Sequence, residues 1–159
     1  VVLDSTYKEY MFIFNNIHPE TANADFMFQA NAAGGSGYNE TITSSMFQAY
    51  HTEGDTAAAL DYESGDDLAQ ATTFQQVIKN CGGEDDDGGS GYLHLFNPSS
   101  TTFVKHFIAW SGAHENTGDY YANTHTAGYF NTTSAIDEIQ FKMSTGETQA
   151  GTISLYGIN

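Results

Sequence analysis

The stretch Ile136–Ile158, IDEIQFKMSTGETQAGTISLYGI, decides the fold. Ile139, Phe141 and Met143 alternate with Glu138, Gln140 and Lys142, the period-two pattern of a strand with one buried face. A loop carrying Gly146 and Gly151 follows, and Thr152, Ile153, Ser154, Leu155 and Tyr156 resume the alternation. The expectation is a C-terminal antiparallel hairpin whose buried set is Ile139, Phe141, Met143, Ile153 and Leu155.

The same period runs upstream. Tyr10, Phe12 and Phe14 share one strand face, and Phe26, Phe28 and Ala30 share another. Further strands are expected at Met46–His51, Tyr92–Phe96, Thr102–Trp110 and Tyr129–Phe130, the long one apolar on both sides like a central strand, with Trp110 in the core. One short helix is predicted over Asp66–Asn80, from the spacing of Leu68, Ala71, Phe74, Gln75 and Ile78. About eight strands separated by Gly, Ser, Asn and Asp clusters make an all-β chain, an antiparallel β-sandwich of jelly-roll-like type. The length of 159 residues suits one domain, 1–159, and 11 Phe with 10 Tyr are enough to pack a core.

The C-terminal stretch resembles the end of a family of small virion proteins of tailed bacteriophages, marine ones especially. Ala135, Ile136, Ile139, Phe141, Ser144, Gly146, Gly151, Thr152, Ile153, Leu155, Tyr156, Gly157 and Ile158 carry the likeness, which ends in LYGI. Tyr10, Phe12, Phe14, Asn16, Ile17, Pro19 and Phe26 resemble that family's opening strands, while the acidic middle carries no such likeness. The resemblance implies a jelly-roll-like sandwich and a non-enzymatic virion protein on the outer capsid surface or an appendage. A capsid decoration or cement protein is the first expectation. Its partners would be the major capsid protein and copies of itself, as a trimer or dimer. A head- or tail-fibre knob that binds a host surface glycan is the alternative.

Charge narrows the field independently. Twenty acidic residues against four basic ones, all lysine, give a formal charge of −16. Nucleic acid and anionic membrane surfaces are poor partners for such a chain, because both need clustered Lys and Arg. No run approaches the ~20 apolar residues of a membrane span, and the opening VVLDSTYKEY lacks the basic-then-apolar order of a signal peptide. The acid is concentrated from Glu53 to Asp87, read as a solvated face or loop. The single cysteine, Cys81, excludes an internal disulfide and reads as a small buried hydrophobe.

Candidate sites are few. Gly34–Tyr38 and Gly88–Tyr92 repeat the motif GGSGY and are expected as two similar inter-strand loops, since neither has the Lys and Ser/Thr of a phosphate loop. Glu84, Asp85, Asp86 and Asp87 offer oxygen ligands for calcium, without the EF-hand spacing; a solvated loop is the plainer reading. His18, His51, His94, His106, His114 and His125 never fall in an HxH or HExxH pattern; His94 and His106 lie on neighbouring strands without a third zinc ligand. Ser111 completes no nucleophile elbow, and no nucleophile, base and orienter can be assembled, so neither an enzyme nor a cofactor is expected. The candidate contact residues are Tyr38 and Tyr92, after the glycine motifs, Tyr120 and Tyr121 in a loop from Gly112 to Thr126, and Tyr129.

Overall fold

The computed structural model describes residues 3–115 and 119–159. Eleven strands and no helix occur among them: β1 (Glu9–Pro19), β2 (Ala24–Ala32), β3 (Ile42–Thr52), β4 (Ala58–Tyr62), β5 (Ala69–Ala71), β6 (Gln75–Cys81), β7 (Gly89–Phe96), β8 (Lys105–Glu115), β9 (Tyr120–Phe130), β10 (Ile136–Met143) and β11 (Thr148–Ile158). All pairings are antiparallel.

The strands form a wide sheet, β3-β9-β8-β7-β1-β11 with β4 and β5 on β3, and a narrow one, β10-β2-β6. They join where Cys81 of β6 pairs with Glu115 of β8. Aromatic rings show that the narrow sheet lies over the wide one. Phe28 of β2 meets Phe107 of β8 at 5.0 Å between centroids, and Phe14 of β1 meets Phe26 of β2 at 5.1 Å. The expected all-β antiparallel sandwich is thus present, with eleven strands in place of about eight.

The predicted helix over Asp66–Asn80 is absent: β5 and β6 occupy that segment. Tertiary partners take the backbone groups that a helix would use internally. Gln29 Nε2 donates to the carbonyls of Thr72 and Thr73 at 3.3 and 3.1 Å, and Ile78 pairs with Phe26. Val77, Ile78 and the two threonines are also β-branched, which favours extended backbone.

The expected C-terminal hairpin is corrected too. β10 and β11 are both strands, but β10 pairs with β2 and β11 with β1, at opposite ends of the hydrogen-bonded order. Residues 144–147 cross from one sheet to the other, held by Ser144 N–H to Asp25 O at 2.8 Å and Glu20 N–H to Glu147 O at 2.9 Å. Alternation fixes which face is buried and leaves the partner strand open. Of the predicted buried set, Ile139 and Met143 are buried and Phe141 and Leu155 pack against the core half-buried, whereas Ile153 on edge strand β11 is 43% exposed.

The region expected as a loop from Gly112 to Thr126 forms the end of β8 and most of β9; residues 116–118 lie outside the described ones. Its inward positions are small or polar, Ala122, Thr124 and Thr126, so the composition imitates a loop. Thr126 donates to Gln76 O at 3.4 Å across the sandwich. The GGSGY copies also diverge. Gly34–Tyr38 is a loop with positive φ at Gly34, Gly37 and Tyr38, but Gly89–Tyr92 lies within β7. A Cβ on Gly91 would stand 2.2 Å from Trp110 O, so glycine there serves close strand packing and makes no turn.

Candidate functional site

Period two sends one side chain set of the wide sheet into the core and the other to solvent. The outward set forms a grid whose rows follow the strand register. One row runs Ser154, Ile13, Tyr92, Trp110, His125, Phe47, Tyr62 across β11, β1, β7, β8, β9, β3 and β4. Its rings touch in sequence. Tyr92 meets Trp110 edge-on at 6.1 Å, Trp110 stacks on His125 at 5.6 Å and 16°, and His125 stacks on Phe47 at 4.9 Å and 6°. Such cross-strand ring pairs each contribute about 0.5–1 kcal/mol. Trp110 is 43% exposed and outward, which corrects its expected place in the core, and its indole Nε1 donates to Asn123 Oδ1 at 2.5 Å.

Neighbouring rows extend the pattern with Tyr156, Met11, His94, Ile108, Ala127 and Ser45 on one side and Gly112, Asn123, Ala49 and Leu60 on the other. Glu9 is the one carboxylate among the outward strand positions of this sheet, in a chain with 20 acidic residues, and its Oε2 lies 2.8 Å from His94 Nε2. His51, His94, His106, His114 and His125 all stand on this face, five of the chain's six histidines. Aromatic, imidazole and small polar groups fill the strand positions of this face, and carboxylates reach it only from its rim, Asp55 beside His51, Glu53 and Asp87 beside His114, and Asp67 beside Tyr62.

Of the predicted contact tyrosines, the face brings together Tyr92, Tyr121 and Tyr129. Tyr92, Trp110, Tyr121 and Ile13 surround a depression of about 400 Å³ floored by Gly91 and Gly112. Tyr121 lies across Gly112, where a Cβ would meet its hydroxyl. Tyr129 sits beside His106 at 5.9 Å. Tyr120 points the other way and donates to the buried carboxylate of Glu115. Burial, and then that hydrogen bond, push its phenol up to about 12. Tyr38 lies apart beside Glu138, its backbone N–H bound to Asn31 Oδ1 at 3.2 Å.

Glu84, Asp85 and Asp86 are exposed, whereas the side chain of Asp87 is 5% exposed and committed internally. Its Oδ2 accepts from Glu84 N–H at 2.8 Å and its Oδ1 binds His114 Nδ1. Among the described residues no three His, Cys, Asp or Glu side chains are grouped to hold a metal. Within the acidic middle, Glu63 and Asp66 turn back to Lys79, the latter at 2.8 Å. Burial opposes the charge of Lys79, but hydrogen bonds and charge from these two acids outweigh it and hold the amine above its ordinary value. His94 and His106 are separate, one beside Glu9 and the other beside Tyr129. Ser111 is buried and donates to Val77 O at 2.5 Å, so its hydroxyl serves the sandwich.

The sequence marked Thr102–Trp110 as a strand but placed Trp110 in the core, and Phe47 and His125 could be joined to Trp110 only through register. No family model, curated protein or solved structure matches this chain.

Proposed function

We propose that the chain is a non-enzymatic structural protein of a tailed-phage virion, a jelly-roll-like capsid decoration or cement protein that binds the shell. The observation that carries this reading is the aromatic face of the wide sheet, whose outward strand positions hold a single carboxylate, Glu9, on an otherwise strongly acidic molecule. The likeness of Ile136–Ile158 to virion proteins supplies the virion context.

The physics of attachment follows from the face. Six strands about 4.8 Å apart, with about five outward positions each, span roughly 800 Å², the size of one partner's share in a stable interface. Desolvating such a surface is inexpensive because it holds few charges, and its ring stack is already ordered before binding. The remaining surface keeps the acid in water. Binding to the assembled shell stabilises it by mass action, because the added contacts exist only while subunits stay together.

Density for the chain on purified particles, in copy numbers tied to capsid symmetry and with the wide sheet against the shell, is the expected result. Copies confined to a few fibre tips would reject decoration and favour the second reading. That reading, a glycan-binding knob, draws on the depression between Tyr92, Trp110 and Tyr121. A glycan array with binding lost on Tyr121→Ala is its test.

A further inference from the structure

We infer that β11 is a homotypic docking edge, pairing antiparallel with β11 of a second copy of this chain to join two wide sheets into one. This goes beyond shell attachment and does not depend on it. A free strand edge presents unpaired N–H and C=O groups, and folded proteins blunt such edges by shortness, charge, proline or cover. The other edges here are blunted, β6 by its junction with β8 at Cys81 and by Ser111 and Thr126, which donate to its Val77 and Gln76 carbonyls. β4 has five residues and β5 three, and β10 carries Asp137, Glu138 and Lys142, with Asp137 O taken by Leu3 N–H at 3.0 Å.

β11 has none of these protections, and although its ladder with β1 is bulged where Gly151 takes a φ of +113°, Thr152–Ile158 runs in unbroken register. The strand is eleven residues long, TQAGTISLYGI, with no charge and no proline. It pairs with β1 on one side and with no described strand on the other. Its core-side Ile153 remains 43% exposed and Leu155 half-buried, so apolar surface overhangs the narrow sheet.

A second copy fits this edge better than a foreign segment for three reasons. Antiparallel pairing of a strand with itself is the geometry that a two-fold axis produces, and the interface is then isologous and closed. At a chain charge of −16, two copies repel across their acidic surfaces, whereas β11 brings no carboxylate to the joint. A two-fold also keeps Ile153 and Leu155 on the core side and continues the carboxylate-free outer row through Ser154 into the partner.

Sedimentation and light scattering of the isolated chain test this without any capsid present. The mass is expected to rise with concentration from that of the 17.3 kDa chain to about twice that. In hydrogen exchange, β11 amides should gain protection with concentration while β10 amides do not. The double variant Thr152→Lys, Ser154→Lys places charge on outward positions of the edge and should stay monomeric. It lowers the net negative charge, so dissociation cannot come from general repulsion. Ser45→Lys, outward on β3, should still dimerise. A wild-type chain that stays monomeric throughout, dimerisation without added β11 protection, or a double variant that dimerises like wild type each overturns the inference. Because wild-type exchange decides by itself, a misfolded variant does not blunt the test. Failure of shell attachment with β11 pairing intact would sink only the capsid reading.

Discussion

Phe141 on β10 and Phe12 on β1 meet with ring centroids 5.1 Å apart, although β10 begins the hydrogen-bonded order and β1 stands next to its far end. Phe141 also meets Phe14 at 5.3 Å and Phe26 at 5.7 Å, so one side chain ties both layers together. The sandwich is closed by packing where the backbone ladder does not close it.

Phe141→Ala should therefore cost about 3 kcal/mol, through lost transfer energy and the cavity left among the neighbouring rings. Chemical denaturation checks this. A loss below about 1 kcal/mol would show that the layers are held elsewhere.

Glu115 gives a pH dependence. Burial, the dominant influence, raises its carboxyl above the ordinary 4.5, against opposing hydrogen bonds from Tyr120, Asn80 and Gln48 and the charge of Lys79. Between the ordinary value and the raised one the folded chain holds a proton that the unfolded chain has released. Stability from this group thus falls as pH rises through that window and returns on acidification. Glu115→Gln keeps an acceptor for Gln48 and lets Tyr120 accept in turn, so the variant's melting temperature should lose this slope. Parallel melting curves for variant and wild type from pH 4 to 7 would rule the account out.

The two GGSGY copies should respond differently to alanine. Gly91→Ala drives a Cβ into the β8 backbone and should cost about 2–3 kcal/mol. Gly37→Ala meets only ordinary contact with the Asn39 side chain at 3.9 Å but a φ of +98°, and should cost about 1 kcal/mol. Equal melting temperatures for the two variants would contradict the assignment.

Trp110 is the sole tryptophan, so its emission reports on the face directly. Shell attachment should shift that emission to the blue as water leaves the indole. Phe47→Ala should weaken attachment at least tenfold while changing stability by only about 1 kcal/mol, since Phe47 is 42% exposed. Unchanged affinity in that variant would remove the face from the shell contact.

Cys81 is buried, with Sγ 3.5 Å from Ile17 O, and burial followed by the charges of Asp87 and Glu115 pushes its thiol up to about 12. Thiol reagents at pH 8 should leave it unmodified until denaturant is added. Rapid labelling of the native chain would show that the sandwich seam opens.

Much of the fold was legible because period two survives in the inner residues of β1, β2 and β10. Tyr10, Phe12, Phe14, Phe26, Phe28 and Ala30 are all buried as their alternation requires. β9 was hidden because its inner positions are threonine and alanine, and β6 because glutamine, valine and isoleucine there suit helix spacing as well as strand. Of the candidate site, the tyrosines were visible as residue types, but Phe47 and His125 gave no signal along the chain. They become one surface only when β3, β9 and β8 align.

By itself the sequence determined an all-β sandwich, a buried thiol, and the strand character of Ile136–Met143 and of Thr152–Tyr156. Local alternation and composition suffice for these, since each residue's choice between core and solvent is made within its own strand. Tertiary structure alone decided that β10 and β11 part to opposite sheet ends, that Trp110 faces outward, and that the outward strand positions of one face hold a single carboxylate. Those outcomes depend on strand partners far apart in sequence, and alternation is equally satisfied by any partner that offers a matching buried face.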